Sequence, residues 1–229
     1  LHDALPICDG TVTASAAPVI CPVGHYCPAL TPFATAFPCQ PGTFRGTEGG
    51  INATTDCTTC TEGMYCGGYG LSEPTGPCSA GYFCEQGAIL STPSAGTFTG
   101  TCPAGYYCVE GTSIATMCAD GTYSASRGLQ TQSDCTACPP GKFCDDVILH
   151  IATVGLPASL LDCTAGNFCV GGATAAAVGN GATGVAVCTP GYYCPTGTMR
   201  EIPCAEGTFS NTPGLTDQAS CTPCLAGSY

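Results

Sequence analysis

The most regular feature in the placement of apolar residues along this chain is one aromatic at a fixed offset from a cysteine. The motif C-x-x-G-x-[YF] opens at Cys21, Cys39, Cys60, Cys78, Cys102, Cys118, Cys138, Cys163, Cys188, Cys204 and Cys224, eleven copies in all. Eleven of the 18 Phe and Tyr residues occupy its last position. The pattern predicts a tight turn at each motif glycine, which tolerates positive φ, with the aromatic laid over a neighbouring disulfide as a small local core. Two stretches break the rhythm. Val147 to Leu161 and Val170 to Val187 are long, apolar and nearly free of charge, and a two-disulfide repeat has no interior large enough to hide them.

The copies are of two kinds. Seven run straight on to a further cysteine as C-x5-C: Cys21/Cys27, Cys60/Cys66, Cys78/Cys84, Cys102/Cys108, Cys138/Cys144, Cys163/Cys169 and Cys188/Cys194. Three read C-x-x-G-T-[FY], pass through a Gly-containing loop and end in C-T-x-C, spanning Cys39 to Cys60, Cys118 to Cys138 and Cys204 to Cys224. Successive C-x5-C units start 39, 18, 24, 36, 25, 25 and 36 residues apart when the final step is taken to Cys224. A super-repeat over 21–101 is thus followed by a second over 102–187 and the start of a third over 188–229. Residues 1–20 form an irregular edge. Serial repetition of this kind is the mark of modules that touch their neighbours and little else. Leu1 to Ile7 fall outside the repeat, with His2 where a cysteine is expected before Cys8. They are expected to be non-native, and the chain to be a window on a longer repeat protein.

Composition explains what holds such modules. Cysteine accounts for 22 of 229 residues, beside 32 Gly and 19 Pro, and there is no Trp. That density marks a disulfide scaffold, which persists in oxidising, extracellular compartments. The net charge of −12 rests on 16 acidic and only 4 basic residues. So few cations cannot neutralise phosphates, which argues against nucleic-acid, heparin-like and anionic-membrane partners. Only 9% of residues are charged while 44% are hydrophobic. Neighbouring subunits and glycans are the expected covers for that surface. Val147–Leu161 is too short and too interrupted to cross a membrane, so no membrane insertion is expected.

Candidate chemistry changes little. The C-x-x-C pairs Cys57/Cys60, Cys135/Cys138 and Cys221/Cys224 are 78 and 86 residues apart, too far for paired zinc knuckles. No D-x-D-x-[DN]-G calcium loop occurs. His2, His25 and His150 stand in no nucleophile motif. The expectation is no enzyme, no metal and no cofactor. Asn52-Ala53-Thr54 is an N-glycosylation sequon in a Gly-rich loop, whereas Asn211-Thr212-Pro213 fails as a sequon. Thr11–Pro18 and Ser91–Thr101 have the composition of O-glycosylated stretches. Val147, Ile148, Leu149, Leu160, Leu161, Val178, Val185 and Val187 are the expected assembly interface, since exposed apolar patches mark contacts.

The three G-T-[FY] loops closing on C-x-x-C, Cys39-Gln-Pro-Gly-Thr-Phe with its two counterparts, resemble the cysteine-rich modules of ephrin-type and tumour-necrosis-factor receptors. The C-x5-C units resemble repeats of very large extracellular proteins of algae and other protists. The resemblance implies small disulfide-rich repeats in an extended rod of short β-hairpins and irregular loops, with little helix. It implies the pairs Cys39–Cys57, Cys118–Cys135 and Cys204–Cys221, and no activity. For the C-x5-C units two schemes stay open, a bridge within each unit or bridges across neighbours such as Cys60–Cys78 with Cys66–Cys84. Two functions follow: a structural segment of an extracellular filament or coat, such as a flagellar hair or wall fibre, or a surface ectodomain binding a protein ligand.

Overall fold

The computed structural model describes residues 19–94, 99–144, 160–179 and 181–227. We number the modules 1 to 11 by their opening cysteines, Cys21 to Cys224. The chain divides into two compact units, Leu1–Cys102 with Cys108–Ala115, and Pro103–Tyr107 with Thr116–Tyr229.

Modules 2 to 10 each make one short antiparallel hairpin in a constant register. The first strand follows the motif glycine and the second ends at the next module's opening cysteine. In the first unit these are β1 (Thr43–Phe44) with β2 (Thr58–Thr59), β3 (Met64–Tyr65) with β4 (Gly76–Pro77), and β5 (Tyr82–Cys84) with β6 (Thr99–Thr101). In the second they are β7 (Tyr106–Tyr107) with β8 (Thr116–Met117), β9 (Thr122–Tyr123) with β10 (Thr136–Ala137), and β11 (Lys142–Phe143) with β12 (Leu161–Asp162). The series continues with β13 (Asn167–Cys169) and β14 (Val185–Val187), β15 (Tyr192–Tyr193) and β16 (Ile202–Pro203), and β17 (Thr208–Phe209) and β18 (Thr222–Pro223). Module 1 keeps only the bridge His25↔Pro38. Strands this short, each in a two-stranded sheet, leave room for prolines at strand ends, where no ladder donor is lost. The one described α-helix is the single turn α1 (Ala53–Asp56).

The turn before each hairpin explains the motif glycine. Gly63 has φ +75°, and a Cβ added there would collide with the carbonyl of Gly111, two modules on. Gly166, at φ +84°, faces the carbonyl of Gly214 in the same way, 2.7 Å from where its Cβ would sit. Both requirements, left-handed backbone and close approach, exclude any side chain.

The core is made of sulfur. Apart from cysteines, the buried apolar residues among those described are Ala88, Leu129, Phe143, Ala173 and Leu215. Motif aromatics cover the next module's bridge: Tyr65 packs on Cys78, Cys84 and Ala88, and Phe143 on Cys163, Cys169 and Ala173. Disulfides thus replace the apolar interior that a strand pair of four to six residues cannot supply.

Candidate functional site

Among the described residues ten disulfides each join one cysteine to the next in sequence. The seven short bridges are Cys21–Cys27, Cys60–Cys66, Cys78–Cys84, Cys102–Cys108, Cys138–Cys144, Cys163–Cys169 and Cys188–Cys194. The three long ones are Cys39–Cys57, Cys118–Cys135 and Cys204–Cys221. Of the two schemes for the short units, the structure has the local one; Cys60 and Cys78 belong to different bridges. Cys224 is a free thiol, and Cys8 lies outside the described residues.

What joins module to module is main chain, and it repeats within each unit. The opening cysteine's N–H donates to the carbonyl of the preceding motif glycine, as in Cys60 to Gly42 and Cys163 to Gly141. That same glycine's N–H donates to the residue six beyond the next opening cysteine: Gly42 to Cys66, Gly141 to Cys169. A second glycine, nine or ten residues beyond the opening cysteine, donates back to the previous opening cysteine, as Gly87 to Cys60 and Gly197 to Cys163. Finally, Cys66 N–H reaches the carbonyl of Ala88, and Cys169 that of Thr198. Four hydrogen bonds of 2.7–3.1 Å therefore close each complete step. At about 0.5–1.5 kcal/mol each, they make neighbouring modules one mechanical piece.

This second glycine is what reading the sequence missed. Gly49, Gly70, Gly87, Gly111, Gly172, Gly197 and Gly214 hold the position, all at φ between +67° and +79°. Two modules lack it. Module 1 has Leu30, forced to φ +67° with its side chain 95% exposed. Module 7 has Val147 and Ile148 at the corresponding places.

The expected interface residues fall in three groups. Val147, Ile148 and Leu149 lie outside the described residues. Leu160 and Val185 are half-buried, and Val185 pairs with Cys169 across β13–β14 and packs on the Cys163–Cys169 cluster. Leu161, Val178 and Val187 are exposed, at 38%, 54% and 41%. Larger apolar exposure occurs elsewhere, at Ile114 (77%) and Tyr69 (65%).

Asn52 caps α1. Its Oδ1 accepts from Thr54 N at 2.9 Å and Thr54 Oγ1 at 2.7 Å, and both side chains are exposed. The sequon is thus held in an Asx-turn at the surface. The loop below it is braced by Arg45, whose Nη1 donates to Asp56 O (2.9 Å) and Nη2 to Glu48 O (3.0 Å). Burial raises the Asp56 carboxyl, but hydrogen bonds from the Ile51 and Asn52 N–H groups and the charge of Arg45 outweigh it and leave it below the ordinary range. Thr131 and Gln130 N–H groups lower Asp134, and Ser220 and Thr216 lower Asp217.

Among the described residues no group of three His, Cys, Asp or Glu side chains is placed to hold a metal, and no helix is long and apolar enough to cross a membrane. A comparison with models of known protein families matches none, and a comparison with curated proteins finds no relative. The class that fold and bridges define is a serial array of small disulfide-stapled hairpin modules, a design compatible with an oxidising extracellular setting.

Proposed function

We propose that the chain is a structural segment of an extracellular filament or coat, with other copies or adjoining repeats as its partners and no catalytic step of its own. The observation that carries the reading is the main-chain ladder. Beyond the glycines it requires, its four bonds per step are independent of side-chain identity, so modules can be added in series without redesign of a core. Side chains freed from core duty face outward, and many are apolar in a chain with few charges, which supports packing against neighbours. The exposed sequon at Asn52 supports a glycan as partial cover.

Imaging of native material tests this. A fibre with a regular axial repeat is expected; isolated ectodomains on a cell surface would favour the ligand-binding alternative. The interface is probed with Val178→Asp plus Val187→Asp, both outside the sulfur core. The variant should keep its disulfide map and melting temperature yet fail to polymerise. Undiminished growth of its fibres would remove these residues from the interface.

A further inference from the structure

The triplet Asn52-Ala53-Thr54 is exposed, yet it is tied to itself and at both ends. Asn52 Oδ1 takes both the N–H (2.9 Å) and the hydroxyl (2.7 Å) of Thr54. The Asp56 carboxylate receives the Ile51 and Asn52 N–H groups (2.7 and 2.8 Å), Asp56 N–H donates to Asn52 O (3.0 Å), and Arg45 Nη1 fastens Asp56 O (2.9 Å). One residue on, Cys57 N–H donates to Ala53 O, and its sulfur closes on Cys39. The ladder grips the other side, where Gly49 N–H donates to Cys21 O and Gly50 O receives Cys27 N–H, both at 2.7 Å.

A glycan fits the finished loop. The Asn52 side chain bonds through Oδ1, and among the described residues its Nδ2, the atom a sugar would use, has no partner. Putting the glycan there is another matter. The triplet rule asks for a hydroxyl two residues beyond the asparagine, so the transferase reads that hydroxyl together with the amide. In the closed loop the Thr54 hydroxyl is spent on Asn52 itself. Neither residue can be drawn into another protein's site without opening α1 and the contacts of Asp56.

We propose that Asn52 accepts its glycan only before the Cys39–Cys57 bridge closes, so that the speed of oxidation in module 2 sets the fraction of chains carrying sugar. This timing rests on the reading of Asn52 as a glycan site. In the transfer, Asn52 Nδ2 bonds to the anomeric carbon of a lipid-pyrophosphate-linked oligosaccharide. The bond from that carbon to the pyrophosphate breaks, and the amide proton leaves to a base of the transferase. The bridge takes no part in this chemistry. It keeps the loop shut, so that extending the triplet requires a concerted local opening, whereas the unbridged segment is an open chain.

The test uses the full chain made in a host without N-glycosylation, then incubated with a purified oligosaccharyltransferase and lipid-linked donor, with occupancy read by intact mass. The oxidised chain should accept sugar at least about tenfold more slowly than the reduced and alkylated chain. Cys39→Ser with Cys57→Ser, the remaining bridges in place, should accept it as fast as the reduced chain. Cys78→Ser with Cys84→Ser, which removes a bridge from module 4 instead, should stay as slow as the oxidised parent. Equal rates for oxidised and reduced chain, or a module 4 variant as fast as the module 2 variant, would overturn the timing. No sugar on any form would overturn Asn52 as a site and leave the filament reading to stand on its ladder.

Discussion

Short and long modules solve one problem with different covalent chemistry. In module 4 the bridge Cys78–Cys84 lies inside the turn, its ends six positions apart in sequence. In module 6 position 124 is serine, and Cys118 reaches instead to Cys135, 17 residues on. Yet the Cys–Gly rung is the same in both: Cys102 N–H donates to Gly81 O, and Cys138 N–H to Gly121 O, each at 2.9 Å. The bridge can therefore be moved while the ladder stays. The repeat is defined by its backbone, and disulfides are interchangeable means of holding each rung closed.

Breaking the rung itself should have the largest effect and should be blind to module type. Gly63→Ala in a short module and Gly121→Ala in a long one each place a Cβ against a backbone carbonyl at positive φ. A cost above about 3 kcal/mol is expected for both, read as lost secretion or a collapsed melting transition. Gly179→Ala, which meets nothing within 4 Å, should be close to neutral. Unequal damage at positions 63 and 121 would mean that the two module types do not share one frame.

Removing bridges should separate the types moderately. Replacing Cys118 and Cys135 by serine frees a loop nearly three times as long as replacing Cys78 and Cys84. The loop-entropy account puts the long bridge ahead by about 1 kcal/mol, in single-bridge totals of about 2–3 kcal/mol. Differential scanning calorimetry of the two double variants measures the gap.

Acid should sharpen the contrast with the smallest effect. The lowered carboxyls Asp56, Asp134 and Asp217 all lie in long modules. Their folded pKa values lie below the unfolded one, so their contribution is present above about pH 4 and is lost as pH falls further. Measured against intrinsic exchange rates, hydrogen exchange at pH 3 relative to pH 6 should quicken in loops 45–57, 124–135 and 210–221 before it does in module 4. Uniform quickening would show that the loop carboxylates are not the cause.

The sequence carried the motif glycines and the hairpin class openly, because C-x-x-G-x-[YF] keeps a fixed spacing around Gly63 or Gly166. It hid the second glycine, whose offset wavers between nine (Gly87) and ten (Gly70) in a chain with 32 glycines. A signal existed in Leu30, which stands in that slot in module 1, but nothing in a leucine reveals a left-handed backbone. The inward turn of Val185 was equally illegible, since strand pairing with Cys169 sets it and the apolar run around it reads as one surface. Arg45 was passed over because a lone cation in a loop looks solvated until its carbonyl partners are placed.

Every bridge among the described residues joins consecutive cysteines, so none of them encloses another. A chain threaded into an oxidising lumen presents each correct partner before the next competing thiol arrives. First-come oxidation is then also native oxidation, and length can grow by duplication without adding to the number of mispairings an isomerase must undo.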